Sequence, residues 1–349
     1  MKIIDNIKKN TIILLLITII VLYIILKDDL SDIIIAFQNI DYRFILFAVI
    51  FLFISIFLKA YVNYLIINDK EKISLKEAMK HNLITQFFNG ITPFSTGGQP
   101  MEVYMLTEHK ISFAKSTIYT IQSFIYYQIA MVLCGLFAVL YNFFFHVFPK
   151  DNLLRYLVLF GFIINVVIVI ILFLIMYSKR VTNALTKISI KVAKKLKWKI
   201  KKEEIELKFE EYYVGAQELR KEKRLTFLGI ILNIVSLLCL YTIPLFVLLS
   251  MHEYNSMNLL ECISSSAYVY LIGGMVPIPG ATGGIEYTYT NFFGVLIPKQ
   301  ILYASLLVWR FITYYLGMII GGVVFSLEKK GEKWESEFLQ KLIHHILVV

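Results

Sequence analysis

Two hydrophobic stretches of this chain are each interrupted by the same phrase, and the interruption limits what either stretch can become. Pro93-Phe94-Ser95-Thr96-Gly97-Gly98 and Pro279-Gly280-Ala281-Thr282-Gly283-Gly284 share Pro-x-x-Thr-Gly-Gly, lie 186 residues apart, and have a carboxylate, Glu102 or Glu286, close behind. Proline and paired glycines break a helix. At membrane depth the backbone groups freed by such a break find no partner in lipid, so the break persists only where protein or a wet cavity surrounds it. The two phrases are therefore the first candidates for a functional site.

That the surroundings are a membrane follows from composition: 58% of the 349 residues are hydrophobic and only 17% charged, far from the profile of a soluble domain. The reading is an all-α polytopic membrane protein forming one integral domain over 1–349, with no stretch polar and large enough to fold as a separate soluble enzyme. Cys134, Cys239 and Cys262 lie in apolar segments and read as small buried hydrophobes.

Lys8 and Lys9 precede Ile12 to Leu26, which has no small-residue cleavage site after it and reads as a retained first span. An acidic loop with Asp28, Asp29, Asp32 and Asp41 follows, placing it outside if the basic N-terminus is inside. Phe44 to Ile67 returns the chain. Leu83 to Leu106, cut by the first phrase, has halves of about ten residues, against the roughly 20 a spanning helix needs, so a re-entrant hairpin is expected. Ile118 to Phe148 and Leu153 to Tyr177 cross next. Residues 178–224 carry fifteen Lys or Arg against seven Asp or Glu, a net +8, which marks the cytoplasmic side. Within them Val181, Leu185, Ile188, Val192 and Leu196 form one helical stripe and Ile205, Phe209, Tyr212, Ala216 and Leu219 another, so a basic helical hairpin is expected there, with anionic lipid headgroups as its partner. Leu225 to Leu249 crosses outward with Pro244 as a kink, Glu261 to Pro298 is the second broken stretch, and Ile301 to Phe325 crosses back. Trp334, Phe338, Leu342, Ile346 and Val349 form a closing interfacial stripe. Both termini are expected to be cytoplasmic, in a multi-pass protein of the cell membrane.

About six spanning helices and two re-entrant broken-helix hairpins result, and the unit at about 44–148 is repeated, inverted, at about 225–326. Inverted repeats with broken helices are a transporter pattern, with the site where the breaks meet. The second half-helix of each hairpin turns its N-terminal N–H groups and positive dipole end inward, where a phosphate can be held. The candidate headgroup-binding residues are Pro93, Thr96, Gly97, Gly98, Gln99 and Glu102 in the first break, Pro279, Gly280, Thr282, Gly283, Gly284 and Glu286 in the second, and Arg310 in the last span. Arg310 is a rare intramembrane charge whose expected neighbour is Glu286 or a lipid phosphate. Lys59 lies nearer a helix end and is expected to snorkel. Gly317-x-x-x-Gly321 reads as a helix-packing motif. No nucleophile elbow, Walker loop or metal-ligand spacing occurs, so no catalytic residue, metal or cofactor is expected.

Asn89-Gly90-Ile91-Thr92-Pro93 running into Gly97-Gly98-Gln99-Pro100, with Val276-Pro277-Ile278-Pro279-Gly280 running into Gly283-Gly284-Ile285-Glu286, resembles the membrane domain of lysylphosphatidylglycerol synthases, the multiple peptide resistance factors. The resemblance runs from the second span to the last. It implies a lipid-translocating membrane part, which in full-length members is joined to a soluble domain that moves an aminoacyl group from aminoacyl-tRNA to phosphatidylglycerol. Only 18 residues follow Gly331, so that soluble domain is expected to be absent here, and with it any nucleic-acid partner. Basic and aromatic residues expected from the resemblance near the end of the second span are replaced by Val62-Asn63, leaving Lys59 as the nearest cation. The leading expectation is a flippase-like translocase for a phospholipid, in plain or aminoacylated form. The alternatives are a phosphatidylglycerol lysyltransferase or membrane partner of an aminoacyl-lipid synthase, and a non-transporting membrane scaffold.

Overall fold

A computed structural model describes residues 38, 40–147, 152–195 and 202–329. The first apolar run, the acidic residues Asp28, Asp29 and Asp32, Pro149-Lys150-Asp151, Leu196 and the closing stripe from Trp334 lie outside the described residues, so the sidedness of the two termini does too.

All regular structure among the described residues is helical. Helix α1 (Tyr42–Asn68) is followed by α2 (Leu75–Ile91), a single 3₁₀ turn (Pro93–Ser95), α3 (Gly98–Glu108) and α4 (Phe113–Phe145). Then come α5 (Asn152–Tyr177), α6 (Lys179–Lys195), α7 (Lys202–Lys221) and α8 (Lys223–Ser250). The second broken stretch gives α9 (Leu259–Gly273), a 3₁₀ turn (Pro279–Ala281) and α10 (Gly284–Phe293). The last run is α11 (Lys299–Arg310), a π-helical turn (Phe311–Leu316) and α12 (Gly317–Lys329). Among the described residues five helices are long and apolar enough to cross a bilayer: α1, α4, α5, α8 and the continuous Lys299–Glu328 run. They coincide with the five sequence-derived spans that follow the first. The chain is an all-α, multi-pass membrane protein.

α1 and α8 form the central antiparallel pair. The Asp41 N–H donates to Ser250 O at 2.8 Å, joining the start of one helix to the end of the other. Midway, Ser55 Oγ and Ser236 Oγ lie 2.9 Å apart, and Ser236 Oγ also donates to Ser55 O at 3.0 Å. Small hydroxyl residues let the two backbones approach and satisfy each other where lipid offers nothing. The opposite side of α1, with Leu46, Phe47, Ile50, Phe53, Ile54 and Phe57, is exposed and apolar, as a lipid-facing surface must be. A core of α1, α4, α8, α9, α10 and α11 side chains lies on the inner side, with Tyr241, Tyr289, Phe293 and Trp309 at its heart.

Each broken stretch is anchored alike. Ser74 and Glu77 form a reciprocal capping box at the start of α2, and Asn258 and Glu261 form one at the start of α9. These boxes fix where each arm begins, so the chain reaches its proline after a defined number of turns. The first arm, at 17 residues, is longer than the hydrophobic pattern alone gives, because its amphipathic first turns are helical as well. α2 lies against α12 so closely that a Cβ on Gly321 would stand 2.2 Å from Leu83 O. That makes Gly317-x-x-x-Gly321 a packing motif against the first hairpin. α6 and α7 pair as the basic hairpin; Ile205, Tyr212, Ala216 and Leu219 are buried against the bundle, while Ile188 and Val192 of α6 remain 57% and 41% exposed.

Candidate functional site

The two copies of Pro-x-x-Thr-Gly-Gly fold alike through their first three residues and part at the threonine, whose ψ is −7° at Thr96 and 137° at Thr282. The residue before each proline is extended, Thr92 at φ −115° and Ile278 at φ −111°, because a proline ring excludes the helical conformation for its predecessor. The next two residues are left-handed in both: Phe94 and Ser95 at φ 53°, Gly280 at 65° and Ala281 at 53°. The threonine shared by both copies then closes the turn, Thr96 Oγ1 donating to Pro93 O at 3.0 Å and Thr282 Oγ1 to Pro279 O at 3.1 Å. The two turns touch each other, and the second also rests on α2.

Beyond the turns the copies diverge in how the following half-helix is capped. In the first, Gly97 N–H donates to Thr92 Oγ1 at 2.9 Å and Gly98 N–H to Asn89 Oδ1 at 2.8 Å. In the second, Gly283 N–H donates to Glu286 Oε2 at 2.6 Å. Three of the four glycine N–H groups that the sequence offered to a phosphate, those of Gly97, Gly98 and Gly283, are thus already engaged by their own hairpins. An amide and a hydroxyl compete with an external anion for the same donors, and at membrane depth they satisfy groups that lipid would leave bare.

Glu286 has a second task. Its Oε1 accepts from Arg310 Nε at 2.8 Å, with the two side chains 1% and 4% exposed. Arg310 Nη2 donates to Gly280 O at 3.0 Å, and the guanidinium lies over the Tyr314 ring at 4.7 Å. Tyr314 reaches the other hairpin, its OH donating to Gly90 O at 2.8 Å. Arg310 therefore ties the second turn to the last span, and Tyr314 ties that span to the first hairpin. The π-helical turn begins immediately after Arg310, and it places Tyr314 between the two tips.

The remaining candidates are distributed unequally. Pro93 and Thr96 are exposed, Gln99 is half-buried, and Gly98, Glu102, Gly280, Thr282, Glu286 and Arg310 are buried. Phe94, 52% exposed, stands beside Ser95 and Thr96 on the open side of the first turn. Neither Ser95 Oγ nor the Gln99 side chain is hydrogen-bonded among the described residues. Glu102 is not at the turns. It accepts from Asn63 Nδ2 of α1 at 2.6 Å, and Ser123 of α4 donates to Asn63 Oδ1. Lys59 does not snorkel: its ammonium sits 4.6 Å above the Tyr127 ring of α4. Sequence reasoning missed Asn63, Asn89, Thr92 and Tyr314. For Tyr314 a signal existed, since it follows Arg310 by four residues and shares its helical face.

At the foot of the first hairpin, Glu77 is held down at about 2, chiefly by the Ser74 backbone N–H and hydroxyl and then by His109, whose Nε2 lies 3.1 Å from it. Burial pushes His81 down to about 3, helped by His109 and Lys80 and opposed by Glu77. A histidine kept neutral by folding contributes stability that is complete above its ordinary value near 6.5 and is lost as pH falls towards 3. Between pH 7 and 5 the loss should reach about 2 kcal/mol, a window in which Glu77 is ionised whether folded or unfolded. Thermal melting in detergent should show this loss in the native chain and much less of it in H81L.

No curated protein matches the chain. A family model described as the lysylphosphatidylglycerol synthase TM region matches residues 11–321, which takes in both hairpins, the Glu286–Arg310 pair and the described spans up to residue 321 of the last one. The chain belongs to the lysylphosphatidylglycerol synthase transmembrane-region family.

Proposed function

We propose that this protein is a flippase-like translocase that carries a phospholipid of the phosphatidylglycerol class, plain or aminoacylated, past the two hairpin tips. The family description supports handling of aminoacyl-phosphatidylglycerol lipids in a membrane. The observation that carries the step from handling to translocation is the meeting of two proline turns of like geometry inside an apolar bundle. The units Tyr42–Phe145 and Lys223–Lys329 read as an inverted repeat. Their capping boxes, proline turns and closing threonines recur in order, and Ser55 and Ser236, paired across the α1–α8 contact, are each the fourteenth residue of their helix. Repeats of this kind let one half rock against the other around a fixed site.

On this reading the headgroup passes along the open side of the first turn, where Ser95, Thr96 and Gln99 offer polar contacts, while its tails remain in the bilayer. The second tip, closed by Glu286 and Arg310, is the rigid wall. In sealed proteoliposomes holding headgroup-labelled phosphatidylglycerol, an impermeant reductant should bleach nearly all the label instead of only the outer leaflet. The double variant S95A/Q99A should slow this several-fold. Protection of the inner leaflet equal to that in protein-free vesicles would sink the proposal.

Anionic lipid is the proposed partner of α6. Lys187, Lys191, Lys194 and Lys195 are exposed beside Ile188 and Val192, and the helix follows α5 directly, at the level where a span leaves the bilayer. Each lysine is worth about 1 kcal/mol near an anionic surface. An environment-sensitive dye on a cysteine introduced at Val192 should shift to the blue in nanodiscs containing phosphatidylglycerol, and the shift should fade with salt. Identical spectra in neutral and anionic nanodiscs would exclude this contact.

A further inference from the structure

The least explained charge in the bundle is Lys59. It lies in an apolar helix, well inside the end of a span, where an ammonium is costly unless it reaches the interface or meets a partner. Among the described residues no carboxylate pairs with it, and its ammonium lies over the face of Tyr127. A ring face attracts the cation but accepts none of its three hydrogen bonds in the manner of an anion. One helical turn further along the same face of α1 is Asn63, and one turn back along α4 from Tyr127 is Ser123. These two join each other and Glu102, whose Oε2 makes no hydrogen bond among the described residues. The seam between α1 and α4 thus presents a cation without an anion at one rung and a carboxylate with a spare oxygen at the next.

We propose that this seam is a binding site for a phosphate ester, with the phosphate on Lys59 and a hydroxyl or ammonium of the same ligand directed to Glu102. The ring of Tyr127 orients the ammonium, and Asn63 orients the carboxylate. Lys59 and Asn63, which holds Glu102, stand one helical turn apart, about 5.4 Å along α1, so a ligand with its phosphate on the ammonium turns a donor elsewhere in the same headgroup towards the carboxylate. A lipid headgroup and a soluble glycerophosphate share this chemistry.

The site is read by binding, so it can fail with lipid movement intact, and movement can fail with the site intact. Titrating the full chain in detergent micelles with dioctanoyl phosphatidylglycerol, and separately with the neutral dioctanoylglycerol, should show at least a tenfold preference for the phosphate-bearing lipid. K59M should lose that preference, K59R should bind within about threefold of the native chain because a cation remains, and Y127L should fall between them. Competition by glycerol 3-phosphate would identify a soluble ester as an occupant; binding of the lipid alone would identify the headgroup. Equal binding of the two lipids by the native chain would overturn the proposal without any variant, and so would native-like binding by K59M that differs only in melting temperature.

Discussion

Replacing Arg310 by methionine is expected to cost about 3 to 5 kcal/mol of stability, the range for removing one member of a buried ion pair. The size of the effect follows from what is left behind. Glu286 is 1% exposed and would retain only the Gly283 N–H as a partner, while Gly280 O and the face of Tyr314 would lose the guanidinium. The cost is that of an uncompensated carboxylate in an apolar interior. Adding Glu286→Gln to R310M should therefore recover a large part of the loss, since a neutral amide still accepts from Gly283 N–H. Denaturant or thermal unfolding of the two variants in one detergent makes the comparison. If the double variant is no more stable than R310M, the Arg310 contribution is packing and not charge.

Replacing Gly280 by alanine is the second large effect, expected at about 2 to 3 kcal/mol with a loss of lipid movement of tenfold or more. Two causes can be separated. The left-handed backbone at Gly280, φ 65°, disfavours a side chain, yet Phe94 occupies the equivalent position of the first turn at φ 53°. Conformation alone is therefore the smaller part. The larger part is space: a Cβ on Gly280 would stand 2.4 Å from the Tyr314 ring carbon and hydroxyl, and that hydroxyl holds Gly90 O of the other hairpin. Gly283 supplies the control, with φ 89° and nothing within 4 Å of an added Cβ. G283A should show a conformational penalty alone, about 1 to 3 kcal/mol for a backbone at φ 89° and ψ −49°, with the Tyr314–Gly90 contact unbroken and lipid movement retained. Equal effects on lipid movement at the two positions would remove the argument that the tip contact matters.

The spans were legible because a run of apolar residues longer than a bilayer needs has few other solutions; among the described residues four predicted runs are single helices and the last is helical throughout with a π-helical turn inside it. The hairpin turns were legible because Pro-x-x-Thr-Gly-Gly encodes a local geometry: an extended residue, two left-handed residues, and a threonine that closes on the proline carbonyl. The Glu286–Arg310 contact was legible as two isolated charges that each needed a partner. What the sequence withheld depends on packing between distant segments. Thr96 and Thr282 occupy the same place in the same phrase, yet one is exposed and the other buried. Lys59 leans onto Tyr127 rather than towards the helix end, and Glu102 turns to Asn63 rather than to the tips. No local pattern marks those choices; each is made by a helix whose position the residue itself does not set.

The central claim, that lipid headgroups pass where the two turns meet, is tested most directly at Gly98. A Cβ there would stand 2.4 Å from Asn89 Oδ1, the group that caps α3, so leucine at this position displaces the first turn while leaving every span unaltered. The leaflet-protection assay on native and G98L proteoliposomes of matched protein content is the measurement. The account predicts full bleaching with the native chain and an inner leaflet protected as in empty vesicles with G98L; full bleaching by both would contradict it.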